Sequence, residues 1–273
     1  MLIDTHAHLD FPDFAGELPA ILQRAKDAGV ERIITIGTGV ASSRRSLVLA
    51  EQYDMVYAAI GIHPCNANDE TDDAVSRLAP LLSHPKVVAI GECGLDYYHL
   101  PERPEHESDT EYTSRLAPWK ARQKLFFNQQ LELAANHKLN VIIHQRHSWD
   151  DTLEVLFPWN GKLRAVFHCF GENQARAEQL LVNGHLVSFT GIITFKNAQI
   201  VREVAKSLPD GSFMVETDCP YLAPVPHRGK RCEPAFVRRT AESIADLRNQ
   251  SLPGFLTATA ATAKSFFRFP DSV

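Results

Sequence analysis

Eight short runs rich in β-branched and apolar residues recur along the chain, most of them followed by a stretch of helical periodicity, and this alternation limits the fold more than any other feature. The runs are LIDTH (2–6), RIITIG (32–37), VYAAIG (56–61), VVAIGE (87–92), NVIIH (140–144), RAVFH (164–168), HLVSF (185–189) and FMVET (213–217). Several are nearly continuous in apolar character. Parallel strands with helices on one side and a packed interior on the other are buried on both faces and read this way. Between them lie amphipathic stretches such as LPAILQRAKDAG (18–29), with Gly29 as a stop signal, and WKARQKLFFNQQLELAANHK (119–138); two more, near 234–248 and 255–267, close the pattern. Eight strand-helix repeats predict a single α/β domain over residues 1–273, a TIM-type (β/α)8 barrel. A doubly wound open sheet has the same strand count and is the alternative.

A chain of 273 residues, 44% hydrophobic, can bury a full-sized core. The net charge of −5 argues against a protein that coats nucleic acid or an anionic membrane with its whole surface, so a polyanion must be met by a local patch. No basic segment followed by an apolar one opens the chain, and no apolar run approaches the ~18 residues that span a bilayer, so a cytoplasmic location without a membrane partner is expected. No obligate protein partner is evident. The five cysteines, Cys65, Cys93, Cys169, Cys219 and Cys232, are odd in number and lack C-x-x-C pairing, which predicts reduced thiols. The charged, proline-containing segment HLPERPEHESDTEYTSRLAP (99–118) predicts a long loop after the fourth strand, a candidate lid or substrate-selecting wall.

The polar residues fall where the strands end. His6 and His8 close the first run, His63 follows the third, Glu92 the fourth, His144 the fifth, His168 the sixth and Asp218 the eighth. In a parallel barrel all those ends share one rim, so seven metal-capable side chains converge on one mouth. In an extended segment His6 and His8 leave the same face, which a helix would not allow. Imidazoles with carboxylates suit transition metals, whereas calcium favours an all-oxygen shell. Two divalent ions are expected, drawn from zinc, manganese, magnesium, iron and nickel. Glu92, on a central strand, is the candidate bridge, because two neighbouring cations need an anion between them. Cys93, Cys169 and Cys219 each follow a proposed ligand and read as small buried packing residues.

Beyond these single residues, DTHAHLD (4–10), GIHP (61–64), GECGLDYY (91–98), VIIHQR (141–146), FHCFG (167–171), GIITFKNA (191–198), ETDCPYLAP (216–224) and HRGKRCEPAFV (227–237) resemble, in order, the motifs of the TatD family of metal-dependent deoxyribonucleases, within the amidohydrolase-like barrels. The resemblance runs from residue 2 to about 267. It implies a first metal held by His6, His8, Glu92 and Asp218, a second held by Glu92, His144 and His168, and His63 and Asp96 at positions near the site. Three departures fall on Cys65, Cys232 and Thr262, where the family usually carries histidine, asparagine and asparagine; none removes an implied ligand.

The implied activity is cleavage of DNA phosphodiester bonds, from an end, on single strands or 3′ ends or on another phosphoester. Divalent ions make a water's proton easier to lose at neutral pH, and Asp218 and Glu92 are the carboxylates placed to serve that step. Basic side chains must hold the phosphate: HRGKR (227–231) is the strongest cluster, giving His227, Arg228, Lys230 and Arg231, with Lys196 and Arg146 as further candidates. The same ligand set serves a carbonyl as well as a phosphoryl centre. Hydrolysis of a carboxyl ester, lactone or amide, including an aminoacyl ester on RNA, is therefore the second reading, and a non-catalytic nucleic-acid-binding scaffold the third.

Overall fold

The computed structural model describes residues 1–270. Its eight strands form one parallel sheet in sequential order: β1 (Leu2–Ala7), β2 (Val30–Ile36), β3 (Val56–Ile60), β4 (Val87–Asp96), β5 (Asn140–Arg146), β6 (Ala165–Phe167), β7 (Leu186–Phe189) and β8 (Phe213–Val215). The helices α1 (Leu18–Asp27), α2 (Val40–Gln52), α3 (Asp109–Asn136), α4 (Trp149–Leu156), α5 (Gln174–Val182), α6 (Gln199–Ser207), α7 (Val237–Leu247) and α8 (Leu252–Phe267) occupy the connections and the C-terminal end. Only 3-10 turns fill the crossover between β3 and β4. The fold is the (β/α)8 barrel that the alternation predicts; the open doubly wound sheet is set aside because the sheet's two edges meet.

That meeting is specific. Ala7 bridges Cys219, the His8 amide donates to the Cys219 carbonyl at 2.8 Å, and the Asp218 amide donates to the His6 carbonyl at 2.9 Å. Lower on the seam, the Thr217 hydroxyl donates to Asp4 at 2.7 Å and the Thr5 hydroxyl to the Val215 carbonyl at 3.1 Å. Closure thus ties the His6–His8 segment to Asp218, more than two hundred positions away in sequence.

Strand parity divides the core into two apolar clusters. One joins strands to the surrounding helices through residues such as Ile33, Ile60, Ile143 and Phe167. The other joins Ile34, Tyr57, Ile142, Val166, Leu186 and Met214 to Phe266 and Phe267 at the end of α8, which plug one end of the barrel. Counting up in twos from the second set leads out of the apolar layer into a polar one: Ile142 to His144, Val166 to His168, Leu186 to Ser188, Met214 to Glu216 and Asp218. The amphipathic physics of the strands therefore places the chemistry at the mouth.

β4 departs from simple pleating, with a register shift against β5 between Ile90 and Cys93. Gly94 has φ +136°, and a Cβ there would stand 2.1 Å from the His144 carbonyl oxygen, so only glycine lets β4 approach β5 this closely.

One expectation needs correction. Residues 99–118 are not a loop throughout: α3 begins at Asp109, and only the stretch before it is irregular. Ser108 and Glu111 form a reciprocal capping box that starts the helix, and Pro118 is accepted on its exposed side. The irregular stretch is pinned by Arg115, which pairs with Glu107 at 2.8 Å and reaches the Glu102 carbonyl. Among the described residues, no helix is long and apolar enough to cross a membrane.

Candidate active site

Glu92 is the hub of the mouth. Its Oε1 lies 2.7 Å from Nε2 of His168, 2.8 Å from Nδ1 of His144 and 3.6 Å from Nε2 of His63. Its Oε2 faces the other way, 3.4 Å from Nε2 of His6 and 3.9 Å from Nε2 of His8. Asp218 Oδ1 completes that second group, 3.6 Å from His6 Nε2 and 3.3 Å from His8 Nε2, and the two imidazole nitrogens are 3.4 Å apart.

These spacings test whether the residues suit a cation. Separations of 3.3–3.9 Å are long for hydrogen bonds between imidazole and carboxylate. His6–Glu92 and His8–Asp218 match the edges, about 3.3–3.4 Å, of a tetrahedral shell with bonds of about 2.0–2.1 Å, and His6–Asp218 and His8–Glu92 are wider, at 3.6 and 3.9 Å. The rings of His6 and His8 are buried, and among the described residues their Nδ1 atoms have no hydrogen-bond partner, so both address the site through Nε2 alone. On the Oε1 side, His144 and His168 bring their nitrogens within 3.4 Å of each other. The donor set is all nitrogen and oxygen, and it fits divalent transition metals.

Electrostatics follow from crowding without solvent. Burial alone would raise the Glu92 carboxyl, but the facing histidines, His168 first, outweigh it and hold Glu92 well below the usual carboxylate range. Asp218 is lowered likewise: burial opposes ionisation, and the His8 hydrogen bond with the nearby charges of His6 and His168 overcomes it. Burial pushes His63 down to about 3, in spite of Glu92. His63 is thus neutral; its Nδ1 accepts from the Cys65 amide at 3.1 Å, so Nε2 carries the proton and faces the site as a donor.

Residues behind the site hold it in place. Asp96 Oδ2 lies 2.9 Å from Nε2 of His144, fixing the ring that turns Nδ1 to Glu92. Glu216, buried, accepts from the Cys169 amide and the Ser188 hydroxyl, each at 2.6 Å, and lies 3.5 Å from Nδ1 of His168. Sequence reasoning missed Glu216, although its position two residues before Asp218 on the same strand face marks it. Nor did it single out His99, which is half exposed and whose Nδ1 lies 2.7 Å from Asp96. Cys93 and Cys219 are buried as expected, but Cys169 lies on the cavity wall, because its φ of +48° takes it out of the strand pleat.

A cavity of about 780 Å³ opens over these groups. His8, His63, Glu92, Asp96, His144, His168 and Asp218 line it, and Arg146 reaches it with its guanidinium 3.9 Å from the Tyr98 ring centre. The basic turn stands elsewhere. Arg231 pairs with Glu17 at 2.8 Å and also donates to the Asp13 carbonyl, Arg228 packs over Phe195, and His227 stacks on Phe236. Lys196 and Lys230 are exposed and, like these three, do not line the cavity. Of the three departures, Cys65 lines the cavity; Cys232 is buried apart from it, and the Thr262 hydroxyl is satisfied within α8 by the Ala258 carbonyl.

Comparison with known proteins agrees with this geometry. The family described as TatD related DNase matches residues 3–268. YabD of Bacillus subtilis, described as an uncharacterized metal-dependent hydrolase, is 38% identical over 269 residues, covering 98% of this chain and 99% of its own. The protein of Erwinia tasmaniensis described as 3′-5′ ssDNA/RNA exonuclease TatD is 31% identical over 273 residues, 97% and 99% of the two chains. The crystal structure of YJJV, a TatD homologue from Escherichia coli K12, superposes with a TM-score of 0.87 at 32% identity, covering 98% of each chain. With a barrel whose mouth gathers nitrogen and oxygen donors around Glu92, this chain belongs to the TatD family of metal-dependent hydrolases.

Proposed function

We propose that the protein is a two-ion phosphodiesterase that shortens single-stranded nucleic acid, DNA above all, from its 3′ end. The observation that carries this reading is the split of Glu92, whose two oxygens face two separate groups of imidazoles at the floor of one open cavity. His6, His8, Glu92 and Asp218 would hold one ion, and Glu92, His144 and His168 the other. Bound divalent ions supply Lewis acidity, easing loss of a proton from water and offsetting charge on phosphoryl oxygens.

The chain's own groups do the rest. Asp218, held ionised beside His8, accepts the proton of the attacking water. The water oxygen bonds to phosphorus as the P–O bond to the leaving sugar oxygen breaks in line, and the leaving oxygen takes a proton from solvent. His63 offers its Nε2 proton to a non-bridging oxygen, which gathers charge in the transition state. Arg146, braced on Tyr98, meets a neighbouring phosphate, and the exposed ring of Tyr221 at the cavity rim offers a base a stacking surface. The Erwinia relative's description as a 3′-5′ exonuclease of single strands supports the choice of substrate.

The test is release of nucleotides from 3′-labelled and 5′-labelled single strands with added divalent metal. Early loss of the 3′ label is expected, with His6→Ala and Glu92→Ala abolishing it. Undiminished activity in both variants would refute the assignment. A second reading has one observation in its favour: among the described residues, Arg146 is the one Lys or Arg side chain lining the cavity, which is sparse for a polyanion. A neutral carboxyl ester or lactone needs no such clamp. Turnover of such an ester that is insensitive to salt, without nucleotide release, would select it.

A further inference from the structure

A second set of ligating side chains meets on the cavity wall beside the donors gathered on Glu92, joined to them through the Asp96–His144 hydrogen bond. Cys65 lies in the short turn Pro64–Asn66 after β3, Asp96 ends β4, and His99 follows it in the irregular stretch. Asp96 Oδ2 is 3.6 Å from Cys65 Sγ and 2.7 Å from His99 Nδ1, and the three donor atoms all lie within 4.8 Å of one another. All three residues line the cavity. We propose that Cys65, Asp96 and His99 form a separate, sulfur-containing cation site for a thiophilic divalent ion such as zinc, with a coordination position left open towards the cavity.

Three features support it. The first is spacing: with Zn–S of about 2.3 Å and Zn–O of about 2.1 Å, a tetrahedral S···O edge is about 3.6 Å, the separation found between Cys65 and Asp96. The His99–Asp96 distance is that of a hydrogen bond and must open to about 3.4 Å, which the half-exposed His99 side chain allows. The second is preorganisation. The Tyr98 and His99 amides hold Asp96 Oδ1, at 2.8 and 2.9 Å, so that Oδ2, which meets His144 Nε2 with one lone pair, turns the other towards Cys65 and His99, and the Cys65 amide is held by His63.

The third is charge. The Asp96 side chain is wholly buried, yet among the described residues it has no Lys or Arg partner, only His144 and His99. Its oxygens are met by the His144 and His99 rings and by two backbone amides, so an ion there would add a full cation to an already hydrogen-bonded carboxylate. Mixed thiol, imidazole and carboxylate donors favour zinc over magnesium, calcium or manganese. Ion binding there would release the Cys65 thiol proton to solvent.

Sulfur makes the proposal separable from the two-ion reading, whose donors are nitrogen and oxygen only. The full chain, stripped with a chelator and loaded with Co2+, is expected to show a near-ultraviolet thiolate-to-cobalt charge-transfer band. The band should vanish in Cys65→Ser, weaken in His99→Ala, and persist in Cys169→Ser and Glu92→Gln; Zn2+ should displace it and Mg2+ should not. Metal analysis should give one ion fewer per chain for Cys65→Ser, with circular dichroism and thermal melting reporting that each variant is folded. Absence of the band in the folded wild type, or a band that follows Cys169, overturns the proposal. Failure of the Glu92 centre to hold ions while the sulfur band remains would sink only the two-ion reading.

Discussion

Nε2 of His144 lies 2.9 Å from the Asp96 carboxylate, and the opposite nitrogen of the same ring lies 2.8 Å from Glu92. Asp96 therefore acts through His144, setting which nitrogen is free to bind an ion and where it points. Asp96→Asn is expected to lower metal affinity about 10–100-fold while the barrel stays folded. Zinc titration of the stripped protein in the Cys65→Ser background, with and without Asp96→Asn, read by calorimetry beside a thermal melt, checks this; unchanged affinity would show that Asp96 does not position His144.

His63 differs from its neighbours because its Nδ1 is occupied by the Cys65 amide, leaving an N–H rather than a lone pair facing Glu92. Substituting His63→Ala should cost about 10²–10³ in kcat, the usual effect of removing one donor to a developing oxyanion. Metal content should not change. Loss of an ion in this variant would make His63 a ligand instead of a donor.

Arg146 and Arg231 should separate cleanly. Arg146→Ala is expected to raise KM for single-stranded DNA and to reduce the salt slope by about 0.7, the value of one phosphate contact on a single strand. Arg231→Ala breaks an exposed pair with Glu17, so it should leave both the salt slope and the thermal melt nearly unchanged. Equal effects of both on the salt slope would restore the basic turn 227–231 to the substrate path.

Away from the mouth, His185 is buried with Nδ1 accepting from the Ala165 amide at 3.2 Å and Nε2 against Asn160 at 2.9 Å. Burial, aided by Arg164, lowers its pKa from 6.5 to about 4. Below 6.5 the unfolded chain takes up a proton that the folded chain refuses, so this residue's contribution to stability is complete above pH 6.5 and declines as the pH falls towards 4. Urea unfolding at pH 7.5 and pH 5 should show a smaller loss in His185→Gln than in the wild type. An identical loss would mean that other groups account for the acid sensitivity.

Much of this protein is legible in one dimension because the determining physics is local and periodic. Parallel strands buried on both faces betray themselves as apolar runs, and a histidine or carboxylate just past such a run must emerge at the barrel mouth. That is why His6, His8, Glu92, His144, His168 and Asp218 could be named from the string. The start of α3 was written locally too, in the Ser108–Glu111 capping box, but Pro118 and the surrounding charges masked it.

Where side chains from different strands choose one another, the string is silent. The HRGKR run has the same composition whether Arg231 meets a phosphate or Glu17, and only the packing of α1 against the loop after β8 brings Glu17 within reach. Glu216 behind His168, and Cys65 and His99 around Asp96, likewise depend on strand register and on the close approach at Gly94. Residue type and period determined the barrel and the donors at its rim. Their partners, tautomers and division between Glu92 and Asp96 were decided by closure, because distances of 3 to 4 Å between residues far apart in sequence exist only once the sheet's edges have joined.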